Sequence, residues 1–353
     1  MGERNYGCRV STDYTYKGYR LAVLENECLR VSVLLDKGAD IIEFQHKPSG
    51  TDFLWWTPWG LHEQGKLTPS SALPEGFFGD LYQGTWQEIF PNGGAASRHQ
   101  KVDYGLHGEA SLQPWKARIL KDRPAEVCLE VSVETYRSPF RLLRRMTLRS
   151  GVSALFLDES VTNLSGQRVD AMWGHHPALG APFLNPHCRI DLPGAHVVFE
   201  DRRNPYQRFA PGTEGVWPKL KGKDGKMVDL SRFPDPRKPS ADMFYLTRLK
   251  QGWYGITDTK KKVGFGLAWD QRVWPTLWFW QLYGGGRDAP FWGRTYNCAL
   301  EPFAGWPGGL ANAAANGSAL RFGPHQTRRA WLTAVAYSGR KRVSGIGRDG
   351  SVR

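Results

Sequence analysis

The stretch Val127-Cys128-Leu129-Glu130-Val131-Ser132-Val133 puts Val127, Leu129, Val131 and Val133 on one face and Cys128, Glu130 and Ser132 on the other. Alternation with a period of two marks a strand with one buried side, and β-branched valines suit its pleated geometry. The pattern resumes in Phe140, Leu142, Met146 and Leu148. Ser150-Gly151 then turns the chain into Ala154-Leu155-Phe156-Leu157, so the segment reads as a hairpin. Upstream, Leu29, Val31, Val33 and Leu35 alternate, Asp36-Lys37-Gly38 forms a turn, and Ile41-Ile42-Glu43-Phe44 returns. Downstream, Val263, Phe265, Leu267 and Trp269 alternate, and the last strong strand runs from Trp331 to Tyr337. No amphipathic helix of four turns is visible, and the best short candidate is the Ala-rich segment 309–316. The pattern predicts an all-β protein built from antiparallel sheets.

Composition agrees with that class. The chain has 353 residues, 41% hydrophobic and 23% charged, enough to bury a sizeable core without metals or disulfides. Fifteen Trp with 40 Gly and 23 Pro favour short strands and loops over a helical bundle. No run of about 18 apolar residues occurs, so no transmembrane helix and no membrane partner are expected. The first twenty residues lack the apolar core of a signal peptide. Cys8, Cys28, Cys128, Cys188 and Cys298 are odd in number and widely spread. They show neither zinc spacing nor a disulfide framework, so a reduced, cytoplasmic location is expected and no metal site is assigned.

Lys and Arg outnumber Asp and Glu by 47 to 34, a net charge of +13. The surplus clusters in Arg137, Arg141, Arg144, Arg145 and Arg149, in the stretch from Arg202 to Lys226, and in the tail from Arg340 to Arg353. None of these forms a recognisable nucleic-acid module, so nucleic acid is not an expected partner. Arg141, Arg145 and Arg149 fall on alternate residues, as on the wet face of a strand. The surplus reads as solvated faces or, more sharply, as a site for an anionic substrate such as a sugar phosphate.

Two long loops, 57–85 and 201–241, have strands on both sides and read as excursions from one large β-domain. Residues 1–338 are therefore expected to form a single domain, and 339–353 a basic, flexible tail.

Three segments set a titratable residue in tight turn chemistry. They are Tyr104-Gly105-Leu106-His107-Gly108-Glu109, Trp173-Gly174-His175-His176-Pro177 and Cys298-Ala299-Leu300-Glu301-Pro302 through Trp306-Pro307. Glycines beside His107 let backbone approach a ligand closely. Strand alternation lets only one of His175 and His176 face a given site. A lone carboxylate in an apolar stretch makes Glu301 a candidate base with a tuned pKa.

In order and spacing, the set resembles the galactose mutarotase-like superfamily, in particular the aldose 1-epimerases and their divergent relatives. Leu106-His107-Gly108 is similar to the family's LHG motif, Gly174-His175-His176-Pro177 to its GxHP segment, and Ala299-Leu300-Glu301-Pro302 to its catalytic Glu segment. Arg321-Phe322-Gly323-Pro324-His325-Gln326-Thr327 resembles the L-x-PGE stretch before the last strand. The separations, about 70 and 125 residues, also fit, and the likeness covers roughly residues 20–338.

The resemblance implies a large antiparallel β-sandwich, the supersandwich, that interconverts anomers of an aldose. Ring opening needs one base and one acid at opposite edges of the sugar. By resemblance Glu301 is the base, His176 the acid, and His107 a hydrogen-bond partner of the ring oxygen or a neighbouring hydroxyl. No metal or organic cofactor is implied. The implied partner is a small-molecule carbohydrate, neutral or anionic, and the oligomeric state is left open.

Asp242, in Ala241-Asp242-Met243-Phe244, resembles the family's sugar-binding D-x-x-F segment, and Arg98 is the nearest match to its substrate-binding Arg. His175 is a candidate substrate contact beside His176. Trp280, Trp306 and Trp86 are candidate platforms for an apolar sugar face. The stretch Trp86-Gln87-Glu88-Ile89-Phe90-Pro91-Asn92 departs from the family's GR-x-x-NR pattern and resembles the WxExFPN stretch of divergent relatives, which leaves the sugar open. Two other readings stand beside the mutarotase: an epimerase or isomerase of a phosphorylated or modified sugar, and a non-catalytic carbohydrate-binding protein of the same fold. Glycoside hydrolysis is disfavoured, because it calls for two carboxylates about 5–10 Å apart and only Glu301 is a firm candidate.

Overall fold

The structure is a computed structural model that describes residues 4–70, 73 and 76–353. Two large antiparallel sheets, of twelve and eight strands, form an all-β sandwich. The middle of the larger sheet runs, in spatial order, Asp40–His46, Trp86–Ile89, Trp173–Gly180, Tyr296–Ala304, Thr276–Tyr283 and Ser240–Thr247. The middle of the smaller runs Val263–Trp269, Thr327–Ser338, Ala154–Asn163, Phe140–Arg149 and Glu126–Glu134. The segment 127–133 lies within Glu126–Glu134 and pairs with Phe140–Arg149, Val131 opposite Arg144. Phe140–Arg149 turns at Gly151 into Ala154–Asn163, as the Ser-Gly turn predicts.

Alternation decides what each strand contributes. Val127, Leu129, Val131, Phe140, Leu142, Met146 and Leu148 point between the sheets, where they meet Trp86, Trp173, Leu179, Leu277, Phe279 and Leu300 of the larger sheet in one buried cluster. Full burial of each such side chain is worth about 1.5–3 kcal/mol. A second cluster lies on the outer face of the larger sheet and holds Ile89, Ala178, Met243, Tyr245, Trp278 and Phe303. That outer cluster carries the candidate site. The helix expected near 309–316 forms as Leu310–Ala315, and a second short helix, Gly76–Leu81, lies within the 57–85 excursion.

Arg144 breaks the pattern of wet-face arginines. It points inward, fully buried, and donates a hydrogen bond to the Ala39 carbonyl. Glu88 Oε2 lies 3.6 Å and Glu159 Oε1 4.0 Å from its guanidinium. His175 joins the group: its ring Nδ1 accepts from Trp86 Nε1 at 3.2 Å, and its Nε2 lies 2.9 Å from Glu159. Trp173 Nε1 donates to Glu88 at 2.9 Å. Burial raises Glu88 to about 7 and Glu159 to about 8, and lowers His175 to about 4.

Part of the expected tail packs against the sandwich. Val343 and Ile346 join a buried cluster with Ala154, Trp253, Ala268 and Tyr337. The Val343 N–H donates to Asp191 Oδ2 at 3.0 Å, and Thr333 Oγ1 donates to the Arg348 carbonyl at 2.9 Å. A Gly-rich, basic composition masked two apolar anchors three residues apart. All five cysteines are free, and no helix among the described residues is long and apolar enough to cross a membrane.

Removing Arg144 would leave two carboxyls facing each other without their cation. Arg144→Met is expected to cost about 3–5 kcal/mol, read as a lower urea midpoint.

Candidate active site

Register brings the site together. Glu301 pairs with Trp278 across one edge of its strand, and Ala299 pairs with Ala178 across the other. His176 is two residues from Ala178, so it shares the outer face with Glu301. Its Nε2 lies 3.6 Å from Glu301 Oε1. That is too long for a hydrogen bond. His176 Nδ1 and Glu301 Oε2 are buried and find no partner among the described residues. The pair is 4% and 2% exposed.

His107 arrives from a loop with left-handed backbone at φ 59°, followed by Gly108 at φ 74°. The conformation is uncommon for a non-glycine, and His is among the residues that tolerate it. The fold holds it from both sides. The His107 N–H donates to the Gly94 carbonyl at 3.0 Å, and the Gly94 N–H donates to His107 Nδ1 at 3.2 Å. Because Nδ1 accepts, the neutral ring carries its proton on Nε2. The His107 and His176 rings meet edge to face, centroids 5.5 Å apart. Close approach also matters at Gly174, where a Cβ would come within 2.2 Å of the Phe303 ring that stacks on Trp278.

Aromatic rings surround the pair. Trp280 lies 5.5 Å from His176, and Trp55 and Phe291 pack against Trp280 at 6.5 and 5.8 Å. Phe78 covers His107 at 4.6 Å, and Tyr82 meets His176 edge-on at 5.7 Å. Trp306 sits at the rim against Tyr245, 5.6 Å away. This dry setting pushes Glu301 well above the usual carboxylate range, an effect that the Arg202 guanidinium partly offsets. Burial lowers His176 to about 4. His107 falls well below the ordinary imidazole value through burial and the charges of His176 and Arg202.

Arg202 is half-exposed and donates to Glu200 at 3.2 Å. Glu200 also accepts from the Tyr245 hydroxyl at 2.5 Å, and that hydroxyl accepts from the Gly308 N–H at 2.9 Å.

The structure brings together Glu301, His176, His107 and Trp280, with Trp306 at the rim. It separates the other candidates. His175 faces the intersheet core within the Arg144 group, so it does not reach the site beside its neighbour. Trp86, fully buried, faces the same inner side. Asp242 pairs with Gln281, out of step with Tyr245 and Trp278, and lies on the face opposite Glu301. Its carboxylate accepts from the Arg208 N–H at 2.9 Å and from Arg208 Nε at 2.6 Å, so it is engaged by protein donors. Arg98 lies in solvent on a two-stranded ribbon, 3.4 Å from Asp103.

Sequence reading missed Tyr82, Phe78, Trp55 and Phe291, and noted Arg202 only as part of a basic stretch. All come from loops or a short helix, where no period marks a face. Gln87 was also passed over; alternation puts it on the face opposite Trp86, and the register pairs it with His176. Among the described residues, no group of three or more His, Cys, Asp or Glu is placed to hold a metal ion.

The fold is the one seen in solved galactose mutarotase-like proteins. Solved structures of that kind are similar to this chain along nearly its whole length. A galactose mutarotase-like protein from Clostridium acetobutylicum is 13% identical, with a TM-score of 0.65 over 94% of this chain and 99% of the other. A galactose mutarotase related enzyme from Lactobacillus acidophilus is 14% identical, with a TM-score of 0.58 over 90% and 97%. The Slr1438 protein from Synechocystis is 17% identical, with a TM-score of 0.62 over 93% and 100%. The chain belongs to the family described as Domain of unknown function (DUF4432), whose model matches residues 16–335. No curated protein matches it.

A Cβ on Gly108 would lie 2.5 Å from the Phe90 carbonyl oxygen, in a left-handed backbone. Gly108→Ala is therefore expected to lower stability by about 1–3 kcal/mol in urea melts, and to displace His107.

Proposed function

We propose that this chain is an aldose 1-epimerase-like isomerase that interconverts the anomers of an aldose through acid/base ring opening. The observation that supports it best is the His176–Glu301 pair: an imidazole and a carboxyl 3.6 Å apart, buried, each with a polar atom that no described residue satisfies. A sugar between them supplies what they lack, a hydroxyl to donate and a ring oxygen to accept.

The chemistry follows from the pair holding one proton. Glu301, as carboxylate, takes the proton from the anomeric hydroxyl, while His176, as imidazolium, gives its own to the ring oxygen. The C1–O5 bond breaks and C1–O1 becomes a carbonyl. Rotation about C1–C2 presents the other carbonyl face to O5. Reclosure returns the O5 proton to His176 and the Glu301 proton to O1. No net proton is consumed. Burial makes Glu301 a stronger base and His176 a stronger acid than either is in water. The His107 Nε2–H suits a hydrogen bond to the ring oxygen or its neighbour. Trp280 and Trp306 offer faces for the apolar side of a pyranose.

Arg202 favours a second reading, in which the same chemistry acts on a phosphorylated or otherwise anionic sugar. Its half-exposed guanidinium acts on both Glu301 and His107.

Glu301→Gln is expected to abolish catalysed mutarotation of a free aldose in polarimetry while leaving the melting temperature near wild type. Wild type that accelerates no aldose or sugar phosphate sinks the isomerase. If sugars nonetheless raise its melting temperature, the binding-protein reading takes its place. A pH profile tests the shared proton. The one-proton form lies between protonation of His176, at about 4, and deprotonation of Glu301, well above the carboxylate range. The rate should fall beyond both limits. Arg202 lowers the Glu301 value. Arg202→Met should therefore shift the alkaline limb to higher pH.

A further inference from the structure

Tyr82 follows the short helix Gly76–Leu81 and is 4% exposed. Its backbone is tied down: the carbonyl accepts from Trp59 Nε1 at 3.0 Å, and the next carbonyl, of Gln83, accepts from the Thr57 N–H at 2.9 Å. The ring stacks on Phe78 at 5.2 Å and presents an edge to His176. All of these contacts would be served by phenylalanine, as Phe78 shows in the same stack. The hydroxyl is different. It is buried and makes no hydrogen bond to any described residue.

The charges of both Glu301 and Asp40 act on that hydroxyl. On the Asp40 side lies a polar group in which Asp40 Oδ2 accepts from Lys37 Nζ and Gln83 Nε2, each at 2.8 Å, and from Gln87 Nε2 at 3.3 Å, while Asp40 Oδ1 and Gln83 Oε1 make no hydrogen bond to any described residue. Gln87 is the register partner of His176. The Gln87 Oε1, His176 Nδ1 and Glu301 Oε2 atoms are also buried without partners. With the Tyr82 hydroxyl, four unsatisfied atoms thus belong to the acid–base pair or to residues beside it. A buried hydroxyl without a partner is unfavourable, so its place here points to an oxygen that arrives with a ligand.

We propose that Tyr82 is a further catalytic residue, whose hydroxyl donates a hydrogen bond to the substrate oxygen that loses its proton to Glu301. The inference rests on the acid–base reading of the site given above. The Tyr82 O–H bond stays intact throughout. Burial and the neighbouring carboxyls raise the phenol well above its ordinary value, which favours a donor over a base. A fixed donor in a dry site favours the charge that develops on that oxygen and gains nothing from the neutral ground state.

Tyr82→Phe keeps the ring and removes only the hydroxyl. On an aldose that wild type turns over, the expected result is a loss of at least tenfold in kcat with little change in KM. The melting temperature should be equal to wild type or higher, because an unpaired hydroxyl has left the core. That combination separates catalysis from a structural role, in which the melting temperature falls and kcat holds. A kcat within threefold of wild type overturns the inference while leaving the isomerase reading intact. If wild type turns over no aldose, that reading has failed on its own, and calorimetric affinity for a sugar that stabilises wild type decides the matter. A tenfold weaker Kd in Tyr82→Phe supports the hydrogen bond to ligand. An equal Kd, or no sugar binding by wild type, overturns it.

Discussion

Register along the strand Trp173–Gly180 is the constraint on which the molecule depends. His175 and His176 are neighbours, and the pleat sends one into the core and the other to the outer face. A slip of one residue would exchange them. Glu159 would then lose the imidazole 2.9 Å from it, and Glu301 would lose its partner across the site. The Arg144 group gives this register its force. Apolar side chains tolerate a shifted neighbour, but a buried guanidinium between two carboxyls is costly to leave unmatched. The charges at the centre of the sandwich thus fix which histidine faces the candidate site.

The same two-sidedness explains why two histidines of one dipeptide serve different ends. Burial lowers both, each to about 4. His175 is satisfied at both ring nitrogens, by Trp86 and by Glu159. His176 has a free Nδ1 and a carboxyl just beyond hydrogen-bond reach. A satisfied buried group holds a structure in place, and an unsatisfied one waits for a partner. The two imidazoles thus differ in hydrogen-bond satisfaction rather than in residue type or burial.

How much of this was legible in the sequence follows from the same physics. Alternation in Val127–Val133 and Phe140–Leu148 revealed the sandwich, because one buried face imposes a period of two on every strand. Motif order pointed to His107, His176 and Glu301, which register then gathers. Asp242 misled because a carboxylate in a familiar local pattern says nothing of the Arg208 that engages it from a distant loop. Arg144 was passed over, although it falls in phase with Phe140, Leu142, Met146 and Leu148 and so on the buried face, because its charge argued against burial. Tyr82 was invisible, and Arg202 showed only within a basic stretch, since loop residues reach the site by the path of the chain and carry no period. Val343 and Ile346 escaped notice because basic, Gly-rich surroundings outweighed two apolar residues.

The strand order has a consequence for the time course of synthesis. The strand that carries His176 is flanked by Trp86–Ile89, made long before it, and by Tyr296–Ala304, made long after. The smaller sheet is likewise closed by Thr327–Ser338, which inserts between Val263–Trp269 and Ala154–Asn163. Neither sheet can be completed by a growing N-terminal portion. At about 5–20 residues per second, the stretch between His107 and Glu301 takes about 10–40 s to translate. During that interval strand edges that end in the middle of a sheet stand open, so the nascent chain relies on the cell to keep them from pairing with strangers.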